Sequence, residues 1–250
     1  IKQRPYGIVA DPQAAPKAVF ISGMNTAPLG ADLEFSLSGE FDALQAGITA
    51  LGKLTDGGVH LSLSVADYAG GEFHKLKGVI MHQFDGPHPA GNVGVQINHI
   101  SPINKGEVVW TVDMFLVAAI GRLFLHGICD LSRIIAVAGP SVINPSYVKV
   151  PCGVSMSDIR EYFNTESGDV RIISGDVLCG EAVRADGYLG FYDNLVSVVP
   201  EGNYYEMLGW AKPARPKLHS FARTYFSWLC PKKKYDMDTN LHGGPRAFIM

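Results

Sequence analysis

The residues best placed by type and spacing to do chemistry lie in one loop, Phe84-Asp85-Gly86-Pro87-His88-Pro89-Ala90-Gly91-Asn92. Its two prolines fix φ, its two glycines open unusual backbone conformations, and Asp85 offers a local acceptor, so the loop has a definite shape. Ahead of the loop, Gly78–Gln83 reads as a strand; behind it, Val93–Ile103 reads as either a short helix or a strand. If that strand runs parallel to its neighbours, the loop stands at the carboxyl edge of a sheet, where α/β proteins bind ligands. The competing reading is a rigid strand-exit turn with no chemistry.

Other chemistries find less support. A dinucleotide site needs Gly-x-Gly-x-x-Gly between the first strand and its helix, so that backbone can approach a pyrophosphate. The chain has Ser22-Gly23-Met24-Asn25-Thr26-Ala27-Pro28-Leu29-Gly30, which lacks that spacing and loses a backbone donor at Pro28. His82, His88 and His99 form no His-x-x-x-His or Glu-adjacent pattern of the kind that holds zinc, so no metal is expected. No Gly-x-Ser-x-Gly occurs. His126 and Cys129, close in sequence, read as packing, as does Cys152. Four cysteines without a Cys-x-x-Cys pair read as reduced thiols in a cytoplasmic protein.

Charge is unevenly distributed. Seven of the 21 basic residues fall between Lys212 and Lys234, where no Asp or Glu occurs, leaving 14 against 24 acidic residues elsewhere. Tyr225 and Trp228 lie inside this stretch. Aromatics among lysines suit an anionic membrane surface or an integral partner, with nucleic acid a rival and a solvated edge the simplest alternative.

The elements that would position these residues follow from periodicity. At 250 residues, 47% hydrophobic and 18% charged, the chain is an ordered globular protein of one or two domains. Residues 1–16 carry Pro5, Pro12 and Pro16 and read as an extended linker. Strands are expected at 17–23, 60–65, 78–83, 107–112 and 133–138. Helices are expected at about 40–54, briefly at 72–76, and at 113–126 behind an Asp113 cap. This alternation predicts a mostly parallel sheet with helices on both faces over 17–140. A compact α+β module follows over 141–200, with strands at 147–150, 170–174, 188–191 and 195–199 and a short helix at 156–163. Residues 201–250 form a basic, aromatic segment without clear periodicity. The apolar run Met114–Ile128, broken by Arg122 and His126, falls short of the roughly 20 residues a membrane span needs. The chain begins at Ile1 and ends at Met250 without evident signals, which suggests an excised part of a longer protein.

The loop Gly86-Pro87-His88-Pro89-Ala90-Gly91 strongly resembles one found in the A-subunit family of the Na+-translocating NADH:quinone reductases. Arg4-Pro5, Val109–Val112, Ile120–Phe124, Ile135–Pro140, Ile173–Leu178, Leu208–Trp210 and Asp238–Gly244 agree with the same family, so the resemblance runs through nearly the whole chain. It implies a Rossmann-like domain followed by a β-grasp module of the soluble-ligand-binding type. It also implies a preceding lipoyl-like domain and a further C-terminal region. The family is similar in architecture to the NADH-binding flavoprotein of respiratory complex I, but Gly23–Gly30 departs from that relative's glycine-rich flavin cradle.

What the resemblance further implies is a peripheral, non-catalytic component on the cytoplasmic face of the cell membrane, without a tightly bound redox cofactor of its own. The complex around it would use NADH, flavins, iron–sulfur and quinone to export Na+. Partners would be the other subunits, integral ones included, and not nucleic acid. His88, Pro89, Gly91, Tyr225 and Trp228 are the expected contacts with quinone or partners. Two rivals stay open: a free-standing small-ligand binder using the β-grasp module, and a flavin-dependent dehydrogenase with a degenerate loop.

Overall fold

The computed structural model describes residues 1–163, 169–202, 209, 226–229 and 233–240. The first sheet contains β1 (Lys2–Arg4), β2 (Ile8–Val9), β3 (Val19–Ser22), β4 (Val59–Ser64), β5 (Ile80–Phe84) and β6 (Val109–Asp113), in the order β2-β1-β6-β3-β4-β5. β6, β3, β4 and β5 run parallel, as expected, and β1 and β2 turn back antiparallel beyond β6. The connecting helices are α1 (Leu33–Ser36), α2 (Phe41–Leu51), α3 (Val65–Gly70), α4 (Val93–Ile100) and α5 (Met114–His126). The open alternative for residues 93–103 resolves as a helix.

Parallel strands covered on both sides should be apolar on both faces. Val19 and Ile21 of β3 enter the core beneath α2 and α5, whereas Ala18 and Phe20 enter the opposite core with Ile97 of α4 and Val109. α2 and α5 approach closely through glycine. A Cβ at Gly47 would overlap the carbonyl oxygen of Val117, and one at Gly121 that of Ala43. The end of α5 is set locally by Gly127, whose φ of 71° forms the left-handed cap.

The second sheet contains β7 (Arg133–Ala138), β8 (Ser146–Val150), β9 (Val170–Ser174), β10 (Glu181–Val183) and β11 (Leu195–Pro200), in the order β10-β9-β11-β7-β8. β7 and β11 are parallel and the other pairs antiparallel. Ile135 and Val137 fill this unit's own core with Val196 and Val198. Ala136 and Ala138 face the other way, where Ala136 and Leu195 meet Ala31 of the first unit. Small side chains on that face let the two units come close.

Several expectations change. Residues 1–16 are not a linker throughout: Lys2, Gln3 and Arg4 pair with Thr111, Trp110 and Val109 on the edge that β6 would otherwise expose. The strand at 133–138 belongs to the second sheet, so the break between sheets falls in residues 127–132 rather than near Pro140. Periodicity shows that β7 is buried but not which sheet buries it. The short helix expected at 156–163 is reduced to turns and one 3-10 turn, Arg160–Tyr162. Residues 188–191 form no strand, only an isolated bridge from Tyr188 to Ser155, and β10 has no counterpart among the expected strands. His126 and Cys129 are exposed rather than packed.

Arg122 joins α5 to the connection between sheets, donating 2.9 Å to the Asp130 carbonyl and 3.0 Å to that of Ser132 while pairing with Glu40 at 2.9 Å. Among the described residues no helix is long and apolar enough to cross a membrane.

Candidate functional site

In the first sheet, β3 comes first among the parallel strands and β6 last, yet the two are neighbours. Strand order therefore reverses between them, and open α/β sheets receive ligands at the carboxyl edge of such a place, although here the helices that follow, α2 and α5, share one face of the sheet. The loop 84–92 leaves β5 at this same edge and returns over β3. Ser22, at the end of β3, donates to the Gly91 carbonyl at 3.0 Å and also approaches that of Met24. Buried Gln96 donates to Ser22 Oγ at 3.0 Å and to the Ala90 carbonyl at 3.2 Å. The Gly91 amide donates to Thr26 Oγ1 at 2.9 Å, and Thr26 Oγ1 lies 3.3 Å from His88 Nδ1. A hydroxyl accepting from Gly91 can donate to His88 Nδ1 or accept a second bond from it, according to the imidazole tautomer. A Cβ at Gly91 would collide with Thr26, so glycine is what lets the loop close down.

The expected contact residues are thus placed unequally. His88, Pro89 and Gly91 share one pinned loop, with His88 and Gly91 half-buried and Pro89 exposed. Trp228 lies on a separate one-turn 3-10 helix, Phe226–Leu229, about half exposed at 52%. Among the described residues nothing joins Trp228 to the loop. Tyr225, and most of the basic stretch from 212 to 234, lie outside the described residues.

Between the loop, β6 and the second sheet is a cleft of about 660 Å³. Gly91–Val95 form one wall, Lys2 and Arg4 another, and Tyr192, Asp193 and Asn194 close it from the second unit. Sequence reading missed Ser22, Thr26, Gln96 and Arg4 as site residues. The polar pins that involve Ser22 and Thr26 join residues more than 60 positions apart, and no local spacing announces such contacts. Asp113 caps α5 through the Phe115 amide at 2.8 Å; loss of water around it pushes its carboxyl above the usual range, partly offset by that amide and by Arg133.

The other loop of the same edge, between β3 and α1, is where a Rossmann fold seats a pyrophosphate. Here it borders a 270 Å³ hollow lined by Asp32, Glu34 and Asp67. The helix that follows has a single turn, already capped by Asp32 through the Phe35 amide at 3.1 Å. Asn25 fills the space beside Gly30. Three carboxylates and a capped one-turn helix do not fit a pyrophosphate, whether of flavin or of NADH.

On the far side of the sheet, His60 Nδ1 and His82 Nε2 lie 2.9 Å apart, and His60 stacks on Phe20 with ring centroids 4.6 Å apart. Burial lowers both pKa values, His60 further through its neighbour. Among the described residues no three His, Cys, Asp or Glu side chains converge to hold a metal ion.

Two family profiles match successive parts of the chain: one described as the NqrA second alpha/beta domain over residues 1–129, and one as the NQRA C-terminal domain, an SLBB unit, over 134–185. The gap between them coincides with the connection between sheets. Proteins named as the A-subunits of Na(+)-translocating NADH-quinone reductases are similar along the whole chain. That of Yersinia pestis bv. Antiqua (strain Angola) is 39% identical over 253 residues, covering 100% of this chain and 55% of the relative. That of Klebsiella pneumoniae (strain 342) is 37% identical with the same coverage, and that of Rhodopirellula baltica 36%, covering 99% and 54%. The chain thus spans about half the length of these relatives. A solved NAD+-reducing [NiFe]-hydrogenase covers 76% of this chain at 13% identity and a TM-score of 0.49, a likeness too slight to bear on function. The two profiles, laid in order on the two sheets, place the chain in the NqrA family, the A-subunits of the Na(+)-translocating NADH-quinone reductases.

Proposed function

We propose that the chain is a scaffolding part of a sodium-pumping NADH:quinone oxidoreductase, held peripherally on the cytoplasmic face of the membrane against integral subunits. The family match over both units carries this reading. The electron-transfer reaction belongs to the assembly, with its NADH, flavins, iron–sulfur and quinone, and this chain holds no redox cofactor tightly. Supporting that division of labour, the usual pyrophosphate seat is lined by Asp32, Glu34 and Asp67. Supporting the docking role, Leu123, Phe124, Leu125 and Ile128 stand exposed at the end of α5, apolar side chains suited to a partner protein.

In this reading the 84–92 loop contributes His88, Pro89 and Gly91 to contact with quinone or a partner, and Tyr225 and Trp228 contribute from the basic segment. The loop is rigid before any ligand arrives, so binding need not order it. The test is co-purification of the full-length protein from detergent-solubilised membranes, with quinone reduction assayed on the assembled complex. His88→Ala and Trp228→Ala should lower recovery of the complex or raise the KM for quinone. Unchanged recovery and KM in both variants would overturn the contact assignment. A chain that purifies without integral subunits would instead indicate a free-standing binder, and flavin absorbance from the purified chain would contradict the absence of a cofactor.

A further inference from the structure

The cleft at the strand-order reversal has a chemistry that the scaffold reading does not use. Its charged groups differ sharply in how they are satisfied. Asp193 Oδ2 accepts from Ser174 Oγ at 2.5 Å, and Asp113 accepts from the Phe115 amide. Arg133, which does not line the cleft, donates 3.4 Å to the Asp193 carbonyl and 3.2 Å to Cys152 Sγ. Lys2 Nζ lies 3.7 Å over the Tyr192 ring. Arg4 has no such arrangement. Among the described residues no carboxylate lies within ion-pair distance of it, and its Nε is buried without a hydrogen-bond partner. A part-buried guanidinium left in that state is costly unless an anion completes it.

The walls add shape to that demand. Met24, Leu33, Val93 and Val112 give the cleft an apolar lining, and 660 Å³ lies within the range of roughly 300–1,000 Å³ typical of small-molecule pockets. Val93 and Gly94 of the first turn of α4 line the same space and no side chain caps this helix, while the Val95 amide donates to the Asn92 carbonyl at 2.9 Å. Asp113 and Asp193 also line the cleft, and each already accepts a hydrogen bond, from the Phe115 amide and from Ser174 Oγ. We infer that the cleft binds a small organic anion, a carboxylate or phosphate monoester on a ring-sized apolar body, with Arg4 pairing to its charged end. This site stands on the cleft alone and does not depend on assembly with other subunits.

The test is isothermal titration calorimetry of phenyl phosphate and of benzoate into the chain, with benzyl alcohol as the uncharged control. The two anions separate phosphate from carboxylate recognition. At least one should bind, and Arg4→Gln should weaken it by roughly tenfold or more, as expected for loss of a charge-assisted contact. Gly94→Leu gives a second variant that leaves Arg4 in place. A side chain at Gly94 meets open space at the cleft wall, and leucine is the better helix former, so thermal melting should hold or rise while anion binding is lost. Absence of heat with both anions, equal binding by Arg4→Gln, undiminished binding by Gly94→Leu, or benzyl alcohol binding as tightly as the anions would each overturn the assignment.

Discussion

Two loops leave the same edge of the same sheet, and they are built in opposite ways. The β3–α1 loop ends in a single helical turn whose Phe35 amide is taken by the Asp32 side chain, with Glu34 turned back to accept from the amides of Glu72 and Phe73. The β5–α4 loop ends in an eight-residue helix with no side-chain cap, facing an open cleft. The first location, which in dinucleotide-binding proteins of this architecture receives phosphate, has here become self-satisfied and acidic. The second keeps unused donors and an unpaired arginine beside it. Architecture alone therefore says where a ligand can go, and the capping residues decide which of two equivalent places remains available.

The comparison can be broken most severely by removing what supports both loops. Gly121→Val drives a side chain into the Ala43 carbonyl at the α2–α5 crossing, where backbone cannot yield. It should destabilise the chain by about 3 kcal/mol or more. Chemical denaturation measures this, and a loss within error of zero would mean that the crossing is looser than the geometry requires.

A paired substitution sharpens the contrast between the loops. Gln96→Ala removes two hydrogen bonds from a fully buried side chain and should cost about 2 kcal/mol. Asp32→Ala removes an exposed helix cap and should cost about 1 kcal/mol. Hydrogen exchange should rise in residues 84–92 for the first variant and in 32–37 for the second. Equal effects on both segments would show that the two loops move as one unit.

The smallest effect expected is the pH response of the His60–His82 pair. Both rings have folded-state pKa values below the ordinary 6.5, so the unfolded chain binds protons more readily. Their contribution to stability is present above that value and is lost as pH falls through the folded values. The melting temperature should drop on going from about pH 7.5 to pH 5.5, and His82→Gln should flatten that slope. A slope indifferent to the substitution would place the acid sensitivity elsewhere.

Much of the fold was legible in the chain. The spacing of Val19, Ile21, Leu44, Ile48 and Leu51 announces a buried strand followed by an amphipathic helix, and Asp113 and Gly127 bracket α5 by local capping. Glycine and proline placement likewise marked 84–92 as a shaped loop. Illegible were the edge pairing of β1, the allegiance of β7 to the second sheet, and the encounter of Ser22, Thr26 and Gln96 with the loop. The same holds for Arg4 in the cleft: next to Pro5 it reads only as a linker residue.

Local sequence determines which segments become helix or strand, where they stop and which faces are apolar, because backbone preference and side-chain periodicity act over one or two turns. Only the tertiary structure decided which sheet claimed each buried strand and which charges found partners. Those outcomes depend on hydrogen bonds and desolvation between residues distant in the chain, and such energies exist only once folding has brought the groups together.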